Sequence, residues 1–398
     1  MKPYDPFMHE VVADDPYPVY HRLREHSPRL FRSDYNAWFM SRFDDVWNLL
    51  KDERLSVAAG LTPTQLLLGG APDNRMISQM DPPTHTRFRS AFNTLFKPAA
   101  VQELDGKLRA SARTAIRSIA ARGEFDVLAD YAGPLACDIA CVLSGLPRED
   151  MRLFMEWIGG FFHREDDVRG DTAVGQRAGT ELWAYIGDFL RKLRRDPSTA
   201  SGSAAILLEM SRQDPTLGDD DLVSMLANIQ IAASDTVPKG IAASLFRLWQ
   251  HPEQRALMVA EPALADAAFN EAVRLDMPTQ MQGRVCLDGF AFRDVRIEAG
   301  QRVMMMFAAA NRDPSEFDDP DIFRLQRQAR RTLNYGNGLH RCLGVHLAVL
   351  EGRVALQELL GAFPCYEIDV GASFAHRTEY VKGWAKLAAR AGPVSSIG

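Results

Sequence analysis

The sequence predicts a mainly α-helical protein with small peripheral β-sheets. Three observations carry that reading. Apolar residues recur at helical spacing through most of the chain, strand-like runs are few and short, and no repeat or low-complexity tract interrupts the 398 residues.

In chain order, the periodicity predicts helices near 15–26, 43–51, 85–96, 99–121, 127–143, 149–163, 176–195 and 219–250. Further helices are predicted near 253–259, 262–275 and 342–362. Strand character is confined to Trp38-Phe39-Met40, the stretch 283–287, and Arg302 to Phe307. Turn-rich passages at 58–76 and 196–203 are short and flanked by helical pattern, so one domain over 1–398 is expected.

The balance of 46% hydrophobic and 25% charged residues is that of an ordinary globular chain with material for a large core. Met1-Lys2-Pro3-Tyr4-Asp5-Pro6 contains no apolar run, and nowhere do about 18 uncharged apolar residues occur together. A cytoplasmic protein with no membrane association is therefore expected, taken here as a monomer. The five cysteines are odd in number and form no Cys-x-x-Cys pair, which argues against a disulfide framework or zinc site. A net charge of −6 gives no reason to expect nucleic acid.

The helix near 219–250 is the most informative by shape. Asp219, Asp220 and Asp221 suit the positive end of its dipole. Leu222 to Ala233 is nearly uncharged, so the helix is expected to cross the molecule's centre. Pro238 interrupts it, removing one donor and depriving the Ser234 carbonyl of its usual partner. Alone, that is a tolerated kink.

The decisive segment is Tyr335-Gly336-Asn337-Gly338-Leu339-His340-Arg341-Cys342-Leu343-Gly344-Val345-His346-Leu347-Ala348. A cysteine just before a helix sits where backbone N–H groups and the dipole stabilise a thiolate. Gly336 and Gly338 permit an unusual backbone path, and Gly344 removes a side chain where a flat cofactor would lie close. A lone cysteine after a glycine turn would be an inert, buried thiol. The whole string instead resembles the haem-binding signature of the cytochrome P450 family, Phe-Gly-x-Gly-x-His-x-Cys-x-Gly-x-x-x-Ala, with Tyr335 in place of the usual Phe. The substitution keeps a ring beneath the cofactor and is expected to add a hydroxyl near the sulfur.

The resemblance covers nearly the whole chain in the family's order. It implies haem b between the long central helix and the cysteine loop, with Cys342 as the iron ligand. Glu271-Ala272-Val273-Arg274 looks like the family's Glu-x-x-Arg element. Asn311-Arg312-Asp313-Pro314 and Phe323-Arg324-Leu325-Gln326-Arg327 look like the segment that follows. Glu271, Arg274 and Arg327 would then form a buried structural network. Asp81-Pro82-Pro83-Thr84-His85-Thr86-Arg87-Phe88-Arg89 resembles the His-x-x-x-Arg helix, with His85 and Arg89 one turn apart on one face. By resemblance, His85, Arg89, Arg284 and His340 bind the haem propionates, because buried carboxylates need charged donors. Tyr335 and Gly336 complete the cofactor contacts.

Ala232-Ala233-Ser234-Asp235-Thr236 looks like the oxygen-activation motif, with Ala233 where Gly is commonest and the acid–alcohol pair retained. Activating dioxygen requires protons, and Asp235 and Thr236 are the candidate catalytic groups, the acid linked to solvent. Asn228, Ala232 and Thr236 share a helix face, and Thr279, Gln280, Met281 and Gln282 follow the Glu-x-x-Arg element where a substrate-contacting strand begins. These suggest a substrate with polar groups, although the same side chains suit solvent or one another.

The implied activity is insertion of one oxygen atom from dioxygen into a small to medium organic substrate, with NAD(P)H acting indirectly. No flavin or iron–sulfur domain fits the remaining length, so electrons come from a separate ferredoxin or flavodoxin. Six arginines and one acid, Glu351, between 324 and 353 predict an acidic partner on the Cys342 side. The rivals are a peroxide-driven peroxygenase, a haem-binding sensor without turnover, and a helical scaffold without haem. Family peroxygenases carry Arg and Pro where this chain has Asp235 and Thr236, and a sensor needs no proton-delivery pair.

Overall fold

The computed structural model describes residues 4–13, 15–69, 76–165 and 168–392. The predicted turn-rich passage at 58–76 and the N-terminal segment fall partly outside that set. Seven helices build the site: α1 (Thr84–Phe96), α2 (Gly133–Ser144), α3 (Met151–Phe161), α4 (Ala173–Arg195), α5 (Asp219–Gln250), α6 (Ala265–Leu275) and α7 (Val345–Ala362).

The central helix α5 runs unbroken for 32 residues through Pro238 and packs against α2, α4, α6 and α7. Asp221 accepts from the Gly218 N–H at 3.1 Å, satisfying one of the helix's orphan donors. The 99–121 prediction is corrected to two helices, Pro98–Gln102 and Asp105–Arg122. Gly202–Gln213 is a helix that the turn residues just before it concealed. Val127–Ser144 is apolar and long enough to cross a membrane by composition, yet it carries Asp130 and Asp138 and is 72% buried within the fold.

Phe269 shows how the core helices come so close. A Cβ at Gly240 on α5 would lie 2.9 Å from the Phe269 ring, and one at Gly352 on α7 would lie 2.3 Å from it. The ring of α6 therefore fits into two glycine gaps, one on each neighbouring helix, and burying it contributes roughly 1.5–3 kcal/mol.

The main sheet has five short strands: β1 (Arg29–Arg32), β2 (Ala37–Met40), β3 (Leu55–Ser56), β4 (Gln282–Cys286) and β5 (Arg302–Met305). Their spatial order is β1-β2-β5-β4-β3, with only the β2–β5 pair parallel. Among the described residues, three smaller sheets lie outside it. The sequence pattern showed only the runs that became β2, β4 and β5; β3 has two residues, too few alternations to register, and β1 carries an arginine at each end that hides its apolar pair.

Candidate active site

The cysteine loop reaches α7 three residues after Cys342. Gly336 has φ +66° with open space around it, so its backbone conformation alone favours glycine. Gly338 has φ +71°, and a Cβ there would stand 2.4 Å from the Leu50 carbonyl oxygen. The Cys342 N–H donates to the Tyr335 carbonyl at 2.8 Å, closing the loop. Cys342 is solvent-accessible. Burial pushes its thiol up, while the Gly344 N–H, Arg89 and Arg341 pull it down.

The Tyr335 hydroxyl lies near the sulfur, as the sequence suggested: burial and then Cys342 push its pKa up. It donates to Asn270 Oδ1 on α6 at 2.9 Å. The substitution for Phe therefore ties the loop to α6.

His85 is buried on α1, and its Nδ1 has no hydrogen-bond partner. Its ring lies 4.2 Å from that of His340. Arg284 on β4 is 4% exposed and donates to the neighbouring Gly283 carbonyl. Among the described residues no carboxylate lies within ion-pair distance of Arg284 or Arg89. Burial and then Arg284, His85 and Arg89 hold His340 down at about 3, and burial brings Arg284 down to about 10. A buried and a half-buried arginine without an ion-paired protein carboxylate, an orphaned imidazole nitrogen and an accessible thiol together fit haem, whose propionates would supply the missing carboxylates.

On α5, Asn228 and Thr236 are half-buried and Ala232 is exposed, although the helix is central. These three share a face of the helix at i, i+4 spacing. The Thr236 hydroxyl donates to the Ala232 carbonyl at 3.2 Å, leaving its oxygen lone pairs as acceptors. Asp235, expected to reach solvent, is 7% exposed and pairs instead with Lys239 one turn on.

The expected substrate strand divides. Thr279 is half-buried and bridges to Val381. Gln280 points inward: its carbonyl oxygen accepts from the Tyr20 hydroxyl at 3.1 Å, and its amide donates to the Met277 carbonyl at 2.8 Å. Gln280 is therefore a structural residue, and the assignment to substrate is corrected. Met281 is likewise fully buried in the core. Gln282 is half-buried and hydrogen-bonds the Tyr380 side chain. Tyr380, His376 and Lys239 had no motif to reveal them, although Lys239 stands at helical i+4 from Asp235.

Behind the site, Glu271 accepts from Arg274 at 2.8 Å through both oxygens and from Arg327 Nε at 2.8 Å. Arg274 also donates to the Asn311 and Pro320 carbonyls, and Arg327 to those of Asp318, Asp319 and Ile322. The predicted network is complete and its charges are satisfied.

The arginine cluster near Cys342 is smaller than the sequence count. Arg324 pairs with Asp319, Arg327 with Glu271, Arg353 with Asp266, and Arg331 with Glu316 and Asp44. Arg330 and Arg341 remain exposed without an acidic partner among the described residues. Glu351 is fully buried, and burial holds its carboxyl well above the usual range.

Residues 175–369 match the family model described as Cytochrome P450. The chain is 32% identical to cytochrome P450 123 of Mycobacterium tuberculosis over 391 residues, 97% of this chain and 96% of the relative. It is 31% identical to the vitamin D(3) 25-hydroxylase of Pseudonocardia autotrophica, covering 96% of this chain and 95% of that one. Among solved structures, a mutant of P450 EryK in complex with erythromycin B superposes with a TM-score of 0.85 at 25% identity, covering 96% of this chain and 97% of that one. P450BioI in complex with an acyl carrier protein ligated to hexadec-9Z-enoic acid gives 0.83 at 26%, covering 95% and 99%. Near-complete coverage in both directions, together with the cysteine loop and its surrounding cations, makes this chain a member of the cytochrome P450 family.

Proposed function

We propose that this monooxygenase inserts one oxygen atom of dioxygen into a small to medium organic substrate bearing polar groups, with electrons from an acidic ferredoxin or flavodoxin. Haem held through Cys342 supplies thiolate-assisted activation of dioxygen. His85, Arg89, Arg284 and His340 would hold its propionates. Thr236 presents acceptor lone pairs on this helix face, and Asp235 beside it is the group able to pass a proton inward. Asn228, Thr279 and the Gln282–Tyr380 pair offer hydrogen-bonding positions to substrate.

The retained acid–alcohol pair on α5 carries this reading, because neither peroxide-driven turnover nor mere haem sensing needs it. Relatives with names or bound molecules as different as vitamin D3, erythromycin B and a carrier-bound fatty acyl chain define the range a substrate screen must span. Exposed Arg330 and Arg341 support docking of an acidic partner on the cysteine side, with the protein in the cytoplasm and acting as a single-domain monomer.

Purified protein given NAD(P)H, dioxygen and a ferredoxin or flavodoxin system is expected to oxidise a ligand that shifts the Soret band from low to high spin. Product formed equally well with peroxide alone identifies a peroxygenase, and no turnover in either case identifies a sensor. Cys342→His is expected to lose the strongly red-shifted Soret band of the reduced carbon monoxide complex. An unchanged spectrum removes Cys342 as the ligand.

A further inference from the structure

Lys239 is a buried charge to which the proposed mechanism gives no task. Its ammonium pairs with Asp235 Oδ1 one turn upstream on α5, and the two side chains are only 4% and 7% exposed. Asp235 Oδ2 is also buried and has no hydrogen-bond partner. The two oxygens of this carboxylate are therefore unlike: one is clamped, and the other is unengaged.

The clamp is built from outside α5 as well. A Cβ at Gly383 would stand 3.1 Å from Lys239 Cβ and Cγ, so a glycine lets the C-terminal loop close over the lysine stem. The Phe162 ring lies 5.7 Å from the ammonium. The His376 backbone N–H donates to the Gly383 carbonyl at 2.8 Å, which ties this half-buried histidine to the glycine that lies against the lysine stem. The titratable groups facing Asp235 are thus Lys239 from its own helix and His376 and Tyr380 from the C-terminal loop. Stability alone does not demand such an arrangement. A buried ion pair is often no better than apolar residues of the same volume, and Phe162 and Gly383 would pack on a methionine at least as well.

We propose that Lys239 is a positioning residue for proton delivery, pinning Asp235 through Oδ1 so that Oδ2 receives protons arriving past His376 and passes them toward Thr236. Each proton enters from solvent, rests on Oδ2 and leaves inward. The carboxylate and ammonium are regenerated, and no electron moves. This rests on the reading of Asp235 and Thr236 as the proton-delivery pair.

The test uses the holoenzyme and a double-mutant cycle of Lys239→Met and Asp235→Asn, with Lys239→Gln as a second polar variant should the methionine protein fail to fold. Without the cation, burial favours a protonated Asp235. Infrared difference spectra at neutral pH are expected to gain a carboxylic-acid carbonyl band in Lys239→Met that is absent from the double variant. Glu351 contributes equally to all spectra and cancels. Product per NAD(P)H is expected to fall about tenfold in Lys239→Met, toward the range of a displaced proton donor. In the Asp235→Asn background, Lys239→Met should cause no further fall, because it acts only through Asp235. No new band, unchanged coupling, or an equal loss in both backgrounds overturns the proposal. If Asp235→Asn itself turns over as fast as the unaltered enzyme, the underlying assignment fails instead.

Discussion

The imidazole of His340 lies 4.2 Å from that of His85, centroid to centroid, at an interplanar angle of 49°. The contact joins α1 to the cysteine loop and sets two imidazoles beside Arg89 and Arg284, a grouping that calls for an anion. Arg284→Gln is expected to weaken haem retention by about 1.5–3 kcal/mol, the net worth of a hydrogen bond to a charged group. Haem transfer to a haem-free globin measures it. Unchanged retention would place the propionates elsewhere.

Glu271→Ala is expected to destabilise the fold by about 3–5 kcal/mol, because it leaves Arg274 and Arg327 buried without their carboxylate. Removing the exposed Glu298, which pairs with Arg296 in solvent, should change little. Urea midpoints of the two variants give the comparison, and similar values would mean that the network is not under the predicted constraint.

Thr236→Ala is expected to consume NAD(P)H but divert it to hydrogen peroxide, since that helix face loses its acceptor hydroxyl. Asp235→Asn should slow turnover by roughly 10²-fold, because an amide is a poor proton donor. Substrate affinity should change little in Asp235→Asn. The ratio of product to NAD(P)H consumed, with peroxide assayed alongside, decides. Coupling in Thr236→Ala as tight as in the unaltered enzyme would mean that another group supplies the proton.

Arg330→Glu with Arg341→Glu is expected to slow electron transfer and flatten its salt dependence, since opposite charges speed encounter most at low salt. Arg331→Glu is expected to act on stability instead. Its guanidinium is already engaged by Glu316 and lies 5.0 Å from the Phe43 ring centroid. Stopped-flow reduction at two ionic strengths separates these effects, and indifference to both first-named changes would move docking off this face.

Burial, then Lys239, hold His376 down at about 4 from an ordinary 6.5, while Asp235 pulls it up. Between those values the unfolded chain binds more protons than the folded one, so stability falls as pH falls from about 6.5 toward 4 and is full above that window. His376→Phe is expected to flatten the fall by at most about 1.4 kcal/mol per pH unit. Melting temperature against pH checks it. An identical slope in the variant would show that His376 titrates alike folded and unfolded.

What the sequence determined by itself was set by local chemistry. Helical spacing, the Cys342 string, the Glu-x-x-Arg element and the His85–Arg89 turn each lie within a few residues, where backbone geometry fixes which side chains share a face. The tertiary structure decided what depends on partners far along the chain. Gln280 turns to Tyr20, the Tyr335 hydroxyl to Asn270, and three arginines near Cys342 to acids brought in by folding. The Asp235–Lys239 pair lies between these cases. Its i+4 spacing is plain in the sequence, but its burial is not, because Gly383 and Phe162 arrive only when the C-terminal loop and the end of α3 close over α5. A charge in water and a charge shielded from it are the same letter in a sequence, and desolvation, which separates their chemistry, is a property of the packed fold.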